Sequence, residues 1–189
     1  MINLLIFGPP GAGKGTQAEA IAKRYNLNHI SSGEMLRQEA KEGELKEEVS
    51  KFLDAGQLVP DDLLTKMIED AILESGDRGI IFDGYPRTLQ QVELLDGFLA
   101  KQGREMDAVI NLTLDDETAI ARILSRGESS GRSDDKRDIV EERFRIYHAQ
   151  TSPLLKYYRE RGRILDIDGR PDIKAVEEHI NRIIDEMIA

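Results

Sequence analysis

Short, almost unbroken apolar runs alternate along the chain with longer stretches whose apolar residues recur every three or four positions. The first run, Ile2-Asn3-Leu4-Leu5-Ile6-Phe7, predicts a strand buried on both faces. Runs of the same character cover His29 to Ser31, Gly79 to Phe82, Ala108 to Leu112 and Ile164 to Ile167. Between the first two, Ala18, Ile21, Ala22 and Tyr25 form one stripe and predict a helix over Lys14 to Tyr25. Leu63, Met67, Ile68, Ala71 and Ile72 mark another helix, and Leu89, Val92, Leu95 and Leu99 the next. Later stripes use Ile120, Ile123 and Leu124, then Val140 through Tyr158, and last Val176, Ile180, Ile183, Ile184 and Met187. Strands separated by helical crossovers predict an α/β fold, a central five-stranded parallel sheet between two helical layers. Ligands of such sheets bind beyond the carboxyl ends of the strands.

Two segments depart from this alternation. Residues 33–60 are charge-rich, read as helix-turn-helix and contain no core strand, while "SRGESSGRSDDK", Ser125 to Lys136, is small and polar like an exposed loop. The expected organisation is one domain with its core in residues 1–30, 61–125 and 137–189. Two excursions, 31–60 and 126–136, leave it.

Charge and composition narrow the function. With 36 acidic against 26 basic residues the formal charge is −10, which argues against a nucleic-acid or anionic-membrane binder. The chain has no cysteine, so disulfides and cysteine-bound zinc are excluded. No charged-then-apolar leader follows Met1, and no apolar stretch approaches the roughly 18 residues of a membrane span. A soluble, cytoplasmic enzyme or binding protein is the expectation. Tyr157, Tyr158 and Met187 are expected in the core, and His29, His148 and His179 on the surface or in packing roles.

The chemistry begins at "FGPPGAGKGTQ", Phe7 to Gln17. Gly8, Gly13 and Lys14 have the spacing of a phosphate loop, G-x-x-x-x-G-K-[ST]. The stretch leaves a predicted strand and opens a predicted helix, whose N-terminus adds roughly half a positive charge to the inward-turned N–H groups. Where the pattern wants a hydroxyl after the lysine, Gly15 stands, and Thr16 follows one position late. That step turns the hydroxyl by about 100° round the helix, away from the usual magnesium position. "GIIFDGYPRT" ends a predicted strand on Asp83 at the same sheet edge. Alone, Asp83 reads as the start of an Asp-Gly turn; beside a phosphate loop, a magnesium role through bound water is favoured, because that ion keeps several waters and needs one or two carboxylates.

The ordered set "GPPGAGKGTQ", "SSGEMLR", "GQLVPD", "FDGYPRT", "GRSDD" and "IDGRP" spans essentially the whole chain. It strongly resembles the adenylate kinases, a family of nucleoside monophosphate kinases, in which the Gly-Lys-Gly-Thr form of the loop is habitual. The resemblance implies a phosphoryl transfer between ATP and AMP giving two ADP, magnesium bound with ATP, no zinc, and a monomer. It implies ATP on Gly11, Ala12, Gly13, Lys14, Gly15 and Thr16, with Arg122 and Arg126, and adenine against Gly169 and Arg170. It implies AMP under the 31–60 segment, on Ser32, Arg37, Gln57, Leu58 and Val59, with Gly84, Tyr85, Pro86 and Arg87 round its phosphate and Gln91 at its base. Arg132 and Arg143 would bridge the transferring and AMP phosphates, making Lys14, Arg87, Arg126, Arg132 and Arg143 the catalytic set. Asp134 and Asp135 match paired acids of the lid, which is short here. Tyr85 stands where phenylalanine is common and Ser32 where many relatives have threonine.

The residue types suit that chemistry. Phosphoryl transfer is catalysed by positioning and charge neutralisation, and guanidinium forks match phosphate oxygens bidentately. Six arginines fall between Arg122 and Arg145 of an acidic chain. Arg104, Arg159, Arg161 and Arg163 read instead as solvated faces, with Glu117, Glu141 and Glu142 as available partners. Three other readings stay open. One is a pyrimidine monophosphate kinase, against which the resemblance sets Ser32 and Gln91, because the pyrimidine relatives tend to carry alanine and asparagine there. The second is a phosphate-loop switch, which should carry an N-K-x-D stretch that is missing here, and the third a kinase of small metabolites such as sugars, which would need no nucleotide acceptor.

Overall fold

A computed structural model describes residues 1–130 and 133–189. Among them, five strands form one parallel sheet: β1 (Asn3–Phe7), β2 (Asn28–Ser31), β3 (Ile80–Asp83), β4 (Ala108–Thr113) and β5 (Ile164–Asp168), in the order β2-β3-β1-β4-β5. The chain fills β2 and β3 on one side of β1 before crossing to β4 and β5 on the other. The carboxyl end of β1 therefore stands where the winding reverses, and there a crevice opens.

Alternation along β1 shows how the sheet divides its core. Leu5 and Phe7 join Ile80, Phe82 and Val109 on one face, under α4 (Asp61–Glu74), α5 (Leu89–Lys101) and α8 (Leu154–Glu160). Leu4 and Ile6 join Ile81, Ile110 and Leu112 on the other, under α1 (Lys14–Tyr25) and α9 (Ile173–Ile188). Successive strand side chains point to opposite faces, so a run apolar at every position needs both layers, each buried side chain contributing roughly 1.5–3 kcal/mol.

The 33–60 region holds α2 (Ser32–Glu42) and α3 (Lys46–Asp54), the expected helix-turn-helix. Leu36, Val49 and Val59 tie it to the core on the Phe82 side of the sheet.

Three expectations are corrected. The polar stretch from Ser125 is no loop at its start, because α6 runs from Asp116 to Ser130. Its stripe of Ala119 and Ile123 packs on Val140 and Phe144, and the helix continues past that contact. The stretch from Val140 to Tyr158 is not one helix. It divides into α7 (Arg137–Ile146), one wider π-type turn (Tyr147–Thr151) and α8. Met187 is 42% exposed, because the stripe of α9 makes its last buried contact at Ile184. Tyr158 is buried, with Tyr157 edge-on to it. No helix among the described residues is long and apolar enough to cross a membrane.

Candidate active site

The glycine-rich loop joins the carboxyl end of β1 to α1, with Gly13 as the N-cap in left-handed conformation. Gly11 is held at φ +82°, and a Cβ there would stand 2.4 Å from the Ala119 carbonyl oxygen and 2.9 Å from Ile123 Cγ1. The loop is thus pressed onto α6 through a position that only glycine fills. Gly11→Ala should lower stability by about 2 kcal/mol, the scale of a strained backbone, read as a drop in the thermal midpoint.

Lys14 lies at the loop's centre. Its ammonium donates to the Gly8 and Pro9 carbonyls, both at 2.9 Å. Burial pulls its pKa down to about 8; Asp83 opposes the fall while Arg87, Arg143 and Arg126 add to it. Four cationic side chains on α1, α6, α7 and the β3–α5 loop are therefore close enough to feel one another. Like charges gathered this way imply an anion to be bound.

Asp83 ends β3, and its carboxylate faces the loop: a Cβ on Gly15 would stand 3.5 Å from Oδ2. Ser31 Oγ donates to the same oxygen at 3.3 Å. Burial alone would raise the Asp83 pKa, but His29, Lys14 and Arg87 beside it bring it below the ordinary value. His29 Nε2 is buried without a hydrogen-bond partner, 3.9 Å from Oδ2. His29 reads in the sequence as a surface or packing residue, and nothing local there marks this neighbour.

Gly84 to Arg87 form a tight bend beyond Asp83. Gly84 has φ +77°, and a Cβ on it would stand 2.7 Å from Ser32 Oγ and 2.9 Å from Arg87 Nη2. Ser32 Oγ and Arg87 Nε both donate to the Gly84 carbonyl, at 2.7 and 2.6 Å. Burial lowers the Arg87 pKa to about 10, Arg143 and Arg37 adding to the fall, Asp83 and Asp134 opposing it.

Two cavities open along this edge. One, with about 570 Å³ of empty space, is lined by Ser32, Arg37, Gln57, Leu58, Val59 and Gln91. The other, about 580 Å³, is lined by Gly8, Lys14, Gly84, Tyr85, Pro86 and Thr151. Arg87 and Arg143 line both. Of the residues matched to AMP, Ser32, Arg37, Gln57, Val59 and Gln91 are brought together in the first cavity, Gly84, Tyr85 and Pro86 line the second with Lys14, and Leu58, like the two guanidinium groups, belongs to both.

The remaining expected residues lie to one side. Arg122 donates to the Gly169 and Arg170 carbonyls at 2.9 and 3.2 Å, tying α6 to the end of β5. A Cβ on Gly169 would stand 3.7 Å from the Ala12 carbonyl oxygen, so this bend borders the loop. The Arg170 side chain forks onto Asp168. Thr16, on the first turn of α1, is exposed. Arg126 grips Asp135 through Nε and Nη2 at 2.8 and 2.6 Å, and Arg143 Nη1 meets the Asp134 carboxylate at 3.0 Å. Arg132 lies outside the described residues. The arginines read as solvated do lie outside the cavities. Arg159 and Arg163 pair with Asp166 and Glu105, neither of them among the partners the sequence suggested.

A parallel sheet with a phosphate loop at its winding reversal, and an arginine cluster beside two adjoining cavities, defines a phosphate-loop phosphotransferase with room for two anionic substrates. The chain belongs to the adenylate kinase family: the family model "Adenylate kinase" matches residues 6–163. It is similar to an adenylate kinase of a Synechococcus species, 41% identical over 187 residues, covering 98% of this chain and 97% of that one. It is similar also to adenylate kinases of Flavobacterium johnsoniae (42% over 190 residues) and Bacteroides fragilis (39% over 189), each covering 99% of this chain and 100% of theirs. Its reaction is the reversible transfer of the terminal phosphoryl group of ATP to AMP, giving two ADP.

Proposed function

We propose that the transfer takes place where the two cavities meet, between AMP in the Ser32–Gln91 cavity and ATP on the phosphate loop. The observation that carries this reading is the shared lining: Arg87 and Arg143 belong to both cavities. In the reaction an α-phosphate oxygen of AMP attacks the γ-phosphorus of ATP in line, and the bond to the β–γ bridging oxygen breaks. The acceptor is already anionic, so no general base is called for. Lys14 moves from its loop carbonyls to the β- and γ-phosphates. Arg87 and Arg143 hold the AMP phosphate and the moving group, joined by Arg126 and Arg132 from the short lid, residues 126–136. Arg37 pairs with the AMP phosphate. Ser32, Gln57, Leu58 and Val59 enclose the adenosine, and Gly84, Tyr85 and Pro86 shape the bend round its phosphate. On the ATP side, the N–H groups of Gly11 to Thr16 cradle phosphates, while Arg122, Gly169 and Arg170 border the adenine.

Magnesium fits this site. Asp83 is a hard oxygen donor facing the loop, and its lowered pKa keeps it ionised. Among the described residues, no group of three or more His, Asp or Glu side chains is placed to enclose an ion. Magnesium is commonly held by one or two carboxylates, water and phosphates. The bound ion would neutralise phosphate charge. Asp83→Asn should raise the magnesium concentration for half-maximal rate by about tenfold, the scale of an outer-sphere ligand loss.

The reading extends to a monomeric cytoplasmic enzyme that balances the adenine nucleotides. Its direct test is ADP disproportionation with magnesium: ATP and AMP should appear in equal amounts from ADP alone. Release of inorganic phosphate instead would overturn it.

A further inference from the structure

The amide of Gln91 is held at both ends. It is 1% exposed, on the first turn of α5, and lines the proposed AMP cavity. Its Oε1 accepts from the Arg87 backbone N–H at 2.6 Å, and its Nε2 donates to Asp61 Oδ1 at 2.5 Å. Asp61 comes from another element, the first turn of α4, thirty residues away in the chain. A backbone N–H can only donate and a carboxylate can only accept. Chemistry alone therefore fixes which end of the amide is oxygen. A reversed amide would set N–H against N–H at Arg87 and oxygen against oxygen at Asp61.

Each end of a glutamine amide carries one more bonding position: a second N–H on Nε2 and a second lone pair on Oε1. Together they make a donor–acceptor pair. A 6-aminopurine offers the complement, with N1 accepting and the 6-amino group donating. A 6-oxopurine offers the opposite, with N1–H donating and O6 accepting. A free glutamine could turn over and serve either base in one pose. A locked one serves a single kind.

We propose that Asp61 is a specificity-determining residue that acts through Gln91: by holding the amide in one orientation it selects 6-aminopurine over 6-oxopurine monophosphates as phosphoryl acceptor. The proposal rests on the reading that Gln91 meets the acceptor base. Asp61 touches neither substrate nor phosphate, so it is a positioning residue. A merely structural role, such as supporting the start of α4, would weaken AMP and its 6-oxo analogue alike.

The test compares kcat/KM for AMP and for inosine monophosphate, with ATP and magnesium, in wild type, Asp61→Leu, Asp61→Ala and Gln91→Ala. Asp62→Asn, at the exposed neighbouring position, serves as control. With Asp61 replaced, one of the two locks is gone while the Arg87 N–H remains. The ratio of inosine to adenosine monophosphate use should rise about tenfold, the scale of one mispaired buried contact, and stay at the wild-type value in Asp62→Asn. Leucine keeps the size of the side chain but has no atom that can accept from Gln91 Nε2, so it answers the question even where alanine unfolds α4. An unchanged ratio in both Asp61 variants, with the ratio lost in Gln91→Ala, overturns the proposal and leaves Gln91 as base reader. An unchanged ratio in Gln91→Ala overturns both.

Discussion

Lys14→Met should lose about three orders of magnitude in kcat and yet melt at a higher temperature than the wild type in nucleotide-free buffer at pH 7. The kinetic half follows from removing one preorganised cation from the transferring phosphate, worth roughly 10²–10³ in rate. The stability half follows from the lysine's position. Its ammonium is buried beside Arg87, Arg143 and Arg126, and its pKa falls from 10.5 to about 8. A fall of that size corresponds to about 3 kcal/mol spent on keeping the charge in the folded, empty site. Methionine fills much of the same space without charge. It forfeits the bonds to the Gly8 and Pro9 carbonyls, roughly 1 kcal/mol. A net gain of about 2 kcal/mol remains, or some 4–8 °C for a chain of this length.

The sign of the pH dependence is fixed by the same shift. Below pH 8 the lysine is charged in both folded and unfolded chains, and the penalty is complete. Between 8 and 10.5 the folded protein releases its proton first, so raising the pH stabilises the wild type relative to the variant. The two melting curves should converge across that window. A variant less stable than wild type at pH 7, or a gap that does not narrow toward pH 10, would show that the charge sits comfortably in the empty site.

Most of the framework was legible in the chain because each strand obeys one local rule. Leu4 to Phe7 are apolar at every position, and only a strand covered on both faces uses such a run. The phosphate loop was legible because its glycines and lysine lie within a few residues of one another. Legibility failed where structure depends on distant partners. Ser125 to Ser130 has no apolar stripe and reads as loop, yet it stays helical: Gly127 lets the 3₁₀ turn Ser133–Asp135 approach so closely that a Cβ would stand 3.0 Å from Asp135 Cβ. Val140, Phe144, Leu154 and Tyr158 keep an apolar rhythm across Tyr147–Thr151, so nothing local marks the π-type turn between α7 and α8. Asp61 is the extreme case. In the chain it is an acid after a proline at a helix start; its contact with Gln91 exists only once α4 and α5 lie side by side.

The same dependence on partners governs the second large effect, at Asp135. Its carboxylate is 1% exposed, gripped by Arg126 and reached by Arg143 Nη1 at 3.4 Å. In the empty enzyme it occupies, for these two guanidinium groups, the place that phosphate oxygens take in the proposed reaction. Asp135→Asn keeps the size and one accepting oxygen but leaves the cations without their shared anion. Removing one member of a buried ion pair costs about 3–5 kcal/mol. Asp134 still meets Arg143, and Arg126 is 37% exposed, so the lower end, about 3 kcal/mol, is expected. That is a drop of roughly 6–12 °C in the nucleotide-free midpoint. Saturating ATP and AMP without magnesium should shrink the gap, because phosphates then supply the missing charge and binding to the folded state alone stabilises it. The measurement is a pair of thermal melts on each protein, with and without nucleotides. Equal midpoints without nucleotides would mean that Asp135 does not balance the two arginines. A gap that nucleotides leave untouched would mean that those arginines do not receive phosphate.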